Sequence, residues 1–218
     1  MELIDRPGFF HHQLQWDWNT NRLNKLIAIL GREWFAGKKI LEVGSGHGAI
    51  GAVLISLGAH VIFTDARAAH VEYLKGCGYE AYVMDQDSMW TVPGPFDLII
   101  HWGVSYHLNH WQQDLLCAIN STTLLCFETE VADNPSPEFE LKVQEIDHYD
   151  QAFNRIGTLL SPARIEAFVS SHGASFTRFD DRDLDTGGRA KYYSWKAGET
   201  TTDDAIGRRL RRFWIIKR

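Results

Sequence analysis

Hydrophobic positions recur along this chain in two alternating rhythms. Leu14, Trp18, Leu23, Leu26, Ile27, Leu30 and Trp34 fall at roughly helical spacing, which predicts a helix within residues 13–35. A compact apolar run at 39–43 then predicts a strand, followed by a helix at 48–57, a strand at 60–64, a helix at 67–76 and a strand at 80–84. Gly76 and Gly78 end the second of these helices. Pro93, Gly94 and Pro95 mark a loop before a strand at 96–101, and a helix at 108–119 leads to a strand at 122–127. Short apolar strands separated by helices imply a parallel sheet covered on both faces, with right-handed crossovers.

The rhythm changes after residue 130. A loop at 133–137 precedes a polar stretch, 138–156, that reads as an insert, helical in part. Ser161-Pro162 caps a helix through Ser171, with proline at its first position. Residues 175–179 and 212–217 read as strands with no helix between them, so the last strand should run antiparallel.

The chemistry concentrates where the first strand ends. Glu42 is followed by Gly44, Ser45, Gly46, His47 and Gly48, and the next strand ends at Asp65. A strand that turns at once into a helix needs glycine for positive φ or close backbone approach, and the helix start offers free N–H groups to a ligand. Asp65 stands about twenty residues beyond the first glycine, where a carboxylate can accept hydrogen bonds from a ribose. Two adenosine cofactors fit the loop. Gly44-x-Gly46-x-x-Ala49 and Gly46-x-Gly48-x-x-Gly51 satisfy the looser dinucleotide pattern of NAD. S-adenosylmethionine is the other, and a carboxylate at Glu42 suits a sulfonium cofactor better than a pyrophosphate, which it would repel.

The string Glu42-x-Gly44-x-Gly46-x-Gly48 resembles motif I of the class I S-adenosylmethionine-dependent methyltransferases. The segment Phe96-Asp97-Leu98-Ile99-Ile100-His101-Trp102-Gly103-Val104-Ser105-Tyr106-His107-Leu108 is similar to the fourth-strand motif of their small-molecule members, which often ends in Tyr-His-Leu. The resemblance covers roughly residues 38 to 130. It implies an α/β, Rossmann-like, seven-stranded, mostly parallel sheet with an antiparallel last strand and helices on both faces. It divides one domain, 1–218, into a cap helix at 1–37, a cofactor half at 38–130, and a substrate-side insert with the last strands at 131–218. In the family the acidic residue of motif I orients the glycine loop near the methionine amino end, so Glu42 takes that place. Asp65 and Ala66 then fall at the ribose, Asp85 and Gln86 near the adenine with Asp87 a rival, and Trp102 and Gly103 beside the methionine part.

Tyr106 and His107 should face the acceptor. A hydroxyl is a poor nucleophile until its proton is being removed, and histidine can take that proton near neutral pH, so His107 is the candidate general base. Glu128 and Glu130, at the end of the fifth strand, are candidates to bind a polyhydroxyl acceptor or to orient His107. Trp16, Asp150 and Arg164 are candidate acceptor contacts in the roof over the cleft. No dense set of acidic ligands calls for a metal. The expected reaction is methyl transfer from S-adenosylmethionine to a small polar acceptor, most readily a hydroxyl such as that of a sugar or glycan. An N-methyltransferase, an NAD-dependent oxidoreductase and a non-catalytic cofactor-binding module stand as alternatives.

Composition narrows this picture. A chain of 218 residues with 44% hydrophobic residues suits one domain with a sizeable core. A net charge of −6 without a long basic run leaves no evident nucleic-acid footprint, and Trp102-Gly103-Val104-Ser105 stands where nucleic-acid methyltransferases carry Asn-Pro-Pro-Tyr. Arg208, Arg209, Arg211 and Arg212 read as a solvated approach to the last strand. Cys77, Cys117 and Cys126 have no metal spacing and read as buried thiols of a reducing compartment. No signal-peptide pattern or membrane-length apolar run is evident, so the expected location is cytoplasmic, with a small molecule or glycan as partner and no membrane association.

Overall fold

A computed structural model describes residues 13–88, 90–146, 151–186, 191–198 and 210–218. In chain order the elements are α1 (Gln13–Leu30), β1 (Lys39–Val43), α2 (Ala49–Ser56), β2 (His60–Asp65), α3 (Ala68–Gly76), β3 (Ala81–Val83), β4 (Leu98–Trp102), α4 (Trp111–Ser121), β5 (Leu124–Glu130), β6 (Glu140–Gln144), β7 (Ile156–Leu160), α5 (Pro162–Ser171), β8 (Ser175–Phe179) and β9 (Arg211–Lys217). Among the described residues, seven strands form one sheet in the order β3-β2-β1-β4-β5-β9-β8. The first five are parallel, and β9 lies antiparallel to both β5 and β8. This is the fold that the alternating pattern and the reversed last strand imply.

Alternation along the strands sorts the core into two layers. Ile40, Leu98, Ile100, Cys126, Phe213 and Ile215 face α1 and α2, where Leu26 and Leu54 are buried. Leu41, Ile99, Leu125, Phe127, Trp214 and Ile216 face α4 and α5, where Trp111, Leu115, Ile165 and Val169 are buried. Both faces are covered, which explains why the parallel strands read as continuous apolar runs.

Two expectations are corrected. Among its described residues the 138–156 insert is not helical: it supplies β6 and begins β7, an antiparallel hairpin registered from Glu140↔Leu160 to Gln144↔Ile156. Its Glu-Leu-Lys-Val-Gln string alternates polar and apolar residues, the period of a strand, but with the usual sense reversed, since Leu141 and Val143 are the exposed ones. Lys142 and Thr158, on the inner face, fasten the hairpin: Lys142 Nζ donates to Asn109 O (2.6 Å) and to Thr158 Oγ1 (2.9 Å), and Thr158 Oγ1 donates to Leu108 O (2.6 Å). Nor are Arg211 and Arg212 solvated. They open a strand that lies between two others and are 0% and 3% exposed; Arg208 and Arg209 lie outside the described residues. Of the cysteines, all free thiols, Cys126 is buried and Cys77 and Cys117 are half-buried.

Candidate functional site

The glycine loop sits at the carboxyl end of β1. Gly44, Gly46 and Gly48 have φ of 61°, 53° and 76°, the left-handed region where a side chain is strained. At Gly44 close approach adds to this, because a Cβ would lie 2.4 Å from Val104 Cγ2 in the segment after β4. Asp65 ties the loop down: its Oδ2 accepts from Gly46 N (2.8 Å) and its Oδ1 from Arg67 N (2.8 Å). The same carboxylate lies 3.1 Å from His70 Nδ1, and the His70 ring is 4.9 Å from that of His47 in the loop. Ala66 follows directly, before α3 begins.

Glu42 points under α2, and its Oε2 accepts from Gly51 N at 2.8 Å. Gly51 has no room for a side chain, since a Cβ would stand 2.5 Å from that oxygen and 2.3 Å from Phe63 Cε1. Burial pushes the Glu42 pKa up to about 8, aided by Asp65 and opposed by the Gly51 N–H and Arg22. At pH 7 the carboxyl is therefore largely protonated, which corrects the expectation of a standing negative charge here. The folded chain keeps this proton where the unfolded chain, with a pKa of 4.5, has released it. Stability is fully present below 4.5 and falls as pH rises toward 8, by up to about 1.4 kcal/mol per pH unit. Glu42→Gln should flatten that slope, as urea titrations at pH 5 and pH 8 would show; equal slopes in variant and parent would contradict the assignment.

Asp85 and Gln86 follow β3. Buried Gln86 leaves Nε2, and buried Ser45 leaves Oγ, without a protein hydrogen-bond partner. Asp85 Oδ1 accepts from Asp87 N (3.0 Å). Its rival Asp87 is occupied with the loop before α4, accepting from Asn109 N (3.1 Å) and His110 N (2.7 Å).

Beyond Trp102 and Gly103 (φ 71°) the chain makes a 3-10 turn, Ser105–His107. His107 Nδ1 stands 2.7 Å from Glu145 Oε2 and 2.9 Å from Glu145 Oε1, and Oε2 also accepts from Ala152 N (2.7 Å). A carboxylate only accepts, so Nδ1 carries the hydrogen and Nε2 of the neutral ring presents its lone pair. The His107 side chain is 14% exposed, and the Tyr106 ring centroid lies 3.9 Å from its own. Gly157 makes the pairing possible, because a Cβ there would meet Tyr106 O and Glu145 Oε1, each at 2.3 Å. Glu145 was not legible in the sequence: it lies 38 residues from His107 in a stretch that reads as polar surface.

The fifth-strand carboxylates behave differently from each other. Glu128 is fully buried and does not orient His107. Its Oε2 accepts from Arg22 Nη1 (2.9 Å) and Arg211 Nη2 (3.1 Å), its Oε1 from Tyr193 OH (2.8 Å) and Arg211 Nε. Trp18 Nε1 donates to Tyr193 OH (2.6 Å), and Arg22 packs 3.6 Å from the Trp18 ring centroid. Burial would raise the Glu128 pKa, but Arg211 and Arg22 outweigh it and hold the group at about 2. The candidate catalytic role of Glu128 is thus replaced by a structural one. Glu130, on the same strand face, is partly exposed, with Oε2 3.6 Å from Arg211 Nη1.

Arg164 is corrected as well. It pairs with Glu138 (3.5 Å) and Glu140 (3.7 Å) and lies over Trp111, fastening α5 to the base of the hairpin rather than facing the cleft. Asp150 and the Trp16 side chain lie outside what the structure describes. Among the described residues, no group of three or more His, Cys, Asp or Glu is placed to hold a metal ion, and no helix is long and apolar enough to cross a membrane.

No protein-family model matches the chain. No curated protein matches it. Solved structures do. The N-terminal domain of EvdMO1, determined in the presence of S-adenosylhomocysteine (SAH) and D-fucose, aligns with a TM-score of 0.68 at 14% identity, covering 96% of this chain and 84% of that one. An S-adenosylmethionine-dependent methyltransferase from Mesorhizobium loti aligns with a TM-score of 0.63 at 14% identity, covering 91% and 98%. Magnesium protoporphyrin IX methyltransferase (ChlM) from Synechocystis PCC 6803, with bound SAH, aligns with a TM-score of 0.60 at 13% identity, covering 96% and 89%. The fold is that of the class I methyltransferases.

Proposed function

We propose that this chain transfers the methyl group of S-adenosylmethionine to a hydroxyl oxygen of a small polar acceptor, a sugar hydroxyl being the class to test first. The observation that carries the reading is the His107–Glu145 pair just beyond β4, on the same edge of the sheet as the glycine loop. The similar structures crystallised with SAH, one of them also in the presence of D-fucose, support it.

The residues present fit such a cofactor. The loop's glycines, held at positive φ, leave the backbone at the carboxyl end of β1 uncovered by side chains. Ser45 Oγ and Gln86 Nε2 are buried donors without a protein partner, the kind of group that a polar ligand satisfies. Asp65 would take the ribose, since each of its oxygens keeps a lone pair beyond the backbone bond it accepts. Ala66 would lie with Asp65 at the ribose, Asp85 and Gln86 would border the adenine end, Trp102 and Gly103 the methionine end, and Glu42 and Gly48 would hold the loop in shape.

When bound, the cofactor supplies an electrophilic methyl on a sulfonium sulfur. The protein's contribution is alignment and proton removal. Tyr106 packs its ring against that of His107. His107 Nε2 accepts the hydroxyl proton as the oxygen attacks, and Glu145 steadies the imidazolium through Nδ1.

Calorimetric titration with SAH and with NADH, followed by labelled S-adenosylmethionine against monosaccharides, deoxysugars, phenols and amines, tests this. SAH binding and label on a hydroxyl are expected. NADH binding without SAH binding would overturn the reading, and label on amines alone would remove the need for a base.

A further inference from the structure

The hairpin that supplies Glu145 reaches the opposite side of the cleft with its far end. Arg67, two residues beyond Asp65, donates from Nη2 to Gln151 O at 3.1 Å, and its guanidinium lies 5.7 Å from the Phe153 ring centroid. Asn154 Nδ2 stands 3.5 Å from Asp85 Oδ2 and 3.4 Å from Asp87 Oδ2. Residues 151–154 therefore bridge the carboxyl ends of β2 and β3, the two places from which Asp65 and Asp85 would hold adenosine. Phe153 is 51% exposed there, an aromatic ring with an uncovered face beside a ribose-side arginine.

These residues are tied to the base as well. Ala152 N donates to Glu145 Oε2 (2.7 Å), and Glu145 N donates to Arg155 O (2.9 Å). Arg155 N closes the turn on Ala152 O (3.0 Å), with Arg155 at φ 60°. The turn that ends in Asn154 and Arg155 and the carboxylate that holds His107 are thus one hydrogen-bonded unit.

We infer that the β6–β7 hairpin is a cofactor-binding element as well as the holder of the base: Phe153 and Asn154 form the outer wall of the adenosine subsite, and Glu145, a positioning residue, passes cofactor occupancy to His107. The inference rests on the proposed cofactor. Adenine lies against the open face of Phe153, Asn154 shares the Asp85 side of the ring, and contact there tightens the turn that carries the Glu145 hydrogen bonds. Proton acceptance at His107 is then best ordered when the methyl donor is in place.

Calorimetric titration of SAH into the parent, Phe153→Ala and Asn154→Ala, with NMR titration of the His107 ring in the presence and absence of SAH, tests the coupling. Both variants should bind SAH about tenfold more weakly, a loss of about 1.4 kcal/mol. SAH should shift the His107 midpoint in the parent. Glu145→Gln should keep SAH affinity, lose that shift and move the acidic limb of the kcat profile, a response that a merely structural residue would not give. Parent affinity in both alanine variants, or an unchanged His107 midpoint on SAH binding by the parent, overturns this inference alone. A parent that binds no SAH overturns the cofactor reading with it.

Discussion

Replacing Glu128 with alanine is expected to destabilise the protein by about 3–5 kcal/mol, a large share of the roughly 5–15 kcal/mol that holds a typical domain together. Two guanidiniums, Arg22 and Arg211, are buried at the carboxyl end of β5, and Glu128 is the carboxylate that both of them meet. Alanine leaves both cations out of water without that partner, with Tyr193 OH also losing its acceptor. Glutamine keeps the shape and one accepting oxygen but not the charge, so its cost should be intermediate. Urea melts followed by tryptophan fluorescence would read this directly, because Trp18 and Trp102 flank Arg22. A Glu128→Ala variant within about 1 kcal/mol of the parent would mean that the arginines find other partners.

The pH dependence has a definite sign. The native pKa of Glu128, about 2, lies below its unfolded value of 4.5, so its stabilisation is complete above 4.5 and is lost as pH falls toward 2. Glu42 acts in the opposite direction over the window from 4.5 to about 8. The two carboxyls together favour greatest stability in mildly acidic solution.

Replacing His107 with alanine is expected to lower kcat for a hydroxyl acceptor by about 10²–10⁴-fold, the usual contribution of a positioned base. SAH should still bind, because the glycine loop, Asp65 and the Gln86 amide do not involve the ring. Glu145 keeps the imidazole in one tautomer, with Nε2 left to accept the proton. Single-turnover rates with a saturating acceptor would separate chemistry from binding. Turnover within a few fold of the parent would remove His107 from proton transfer and favour an acceptor that attacks unaided.

The cofactor half was readable because its determinants are local. Gly44, Gly46 and Gly48 announce positive φ in their own positions, and Glu42 and Asp65 are placed by the ends of two adjacent strands. The acceptor side was readable only in part. His107 carries a local signal in Tyr106-His107-Leu108, but Glu145 lies in a charged stretch whose period-two alternation was hidden by its polarity. Arg164 and Glu128 were singled out by residue type near a strand or helix end, and type alone does not tell a ligand-binding charge from a paired structural one.

By itself the sequence determined the alternation of strands and helices as far as β5, the reversed last strand and the position of the glycine loop, because backbone conformation and burial period depend on neighbouring residues. The tertiary structure decided which charges meet. Arg211 reaches Glu128 across 83 residues because β9 pairs with β5 inside the sheet, and Glu145 reaches His107 because the hairpin packs along the turn after β4. Such pairings follow from chain topology and from the cost of leaving a buried charge without a partner, and neither is written in any local stretch of residues.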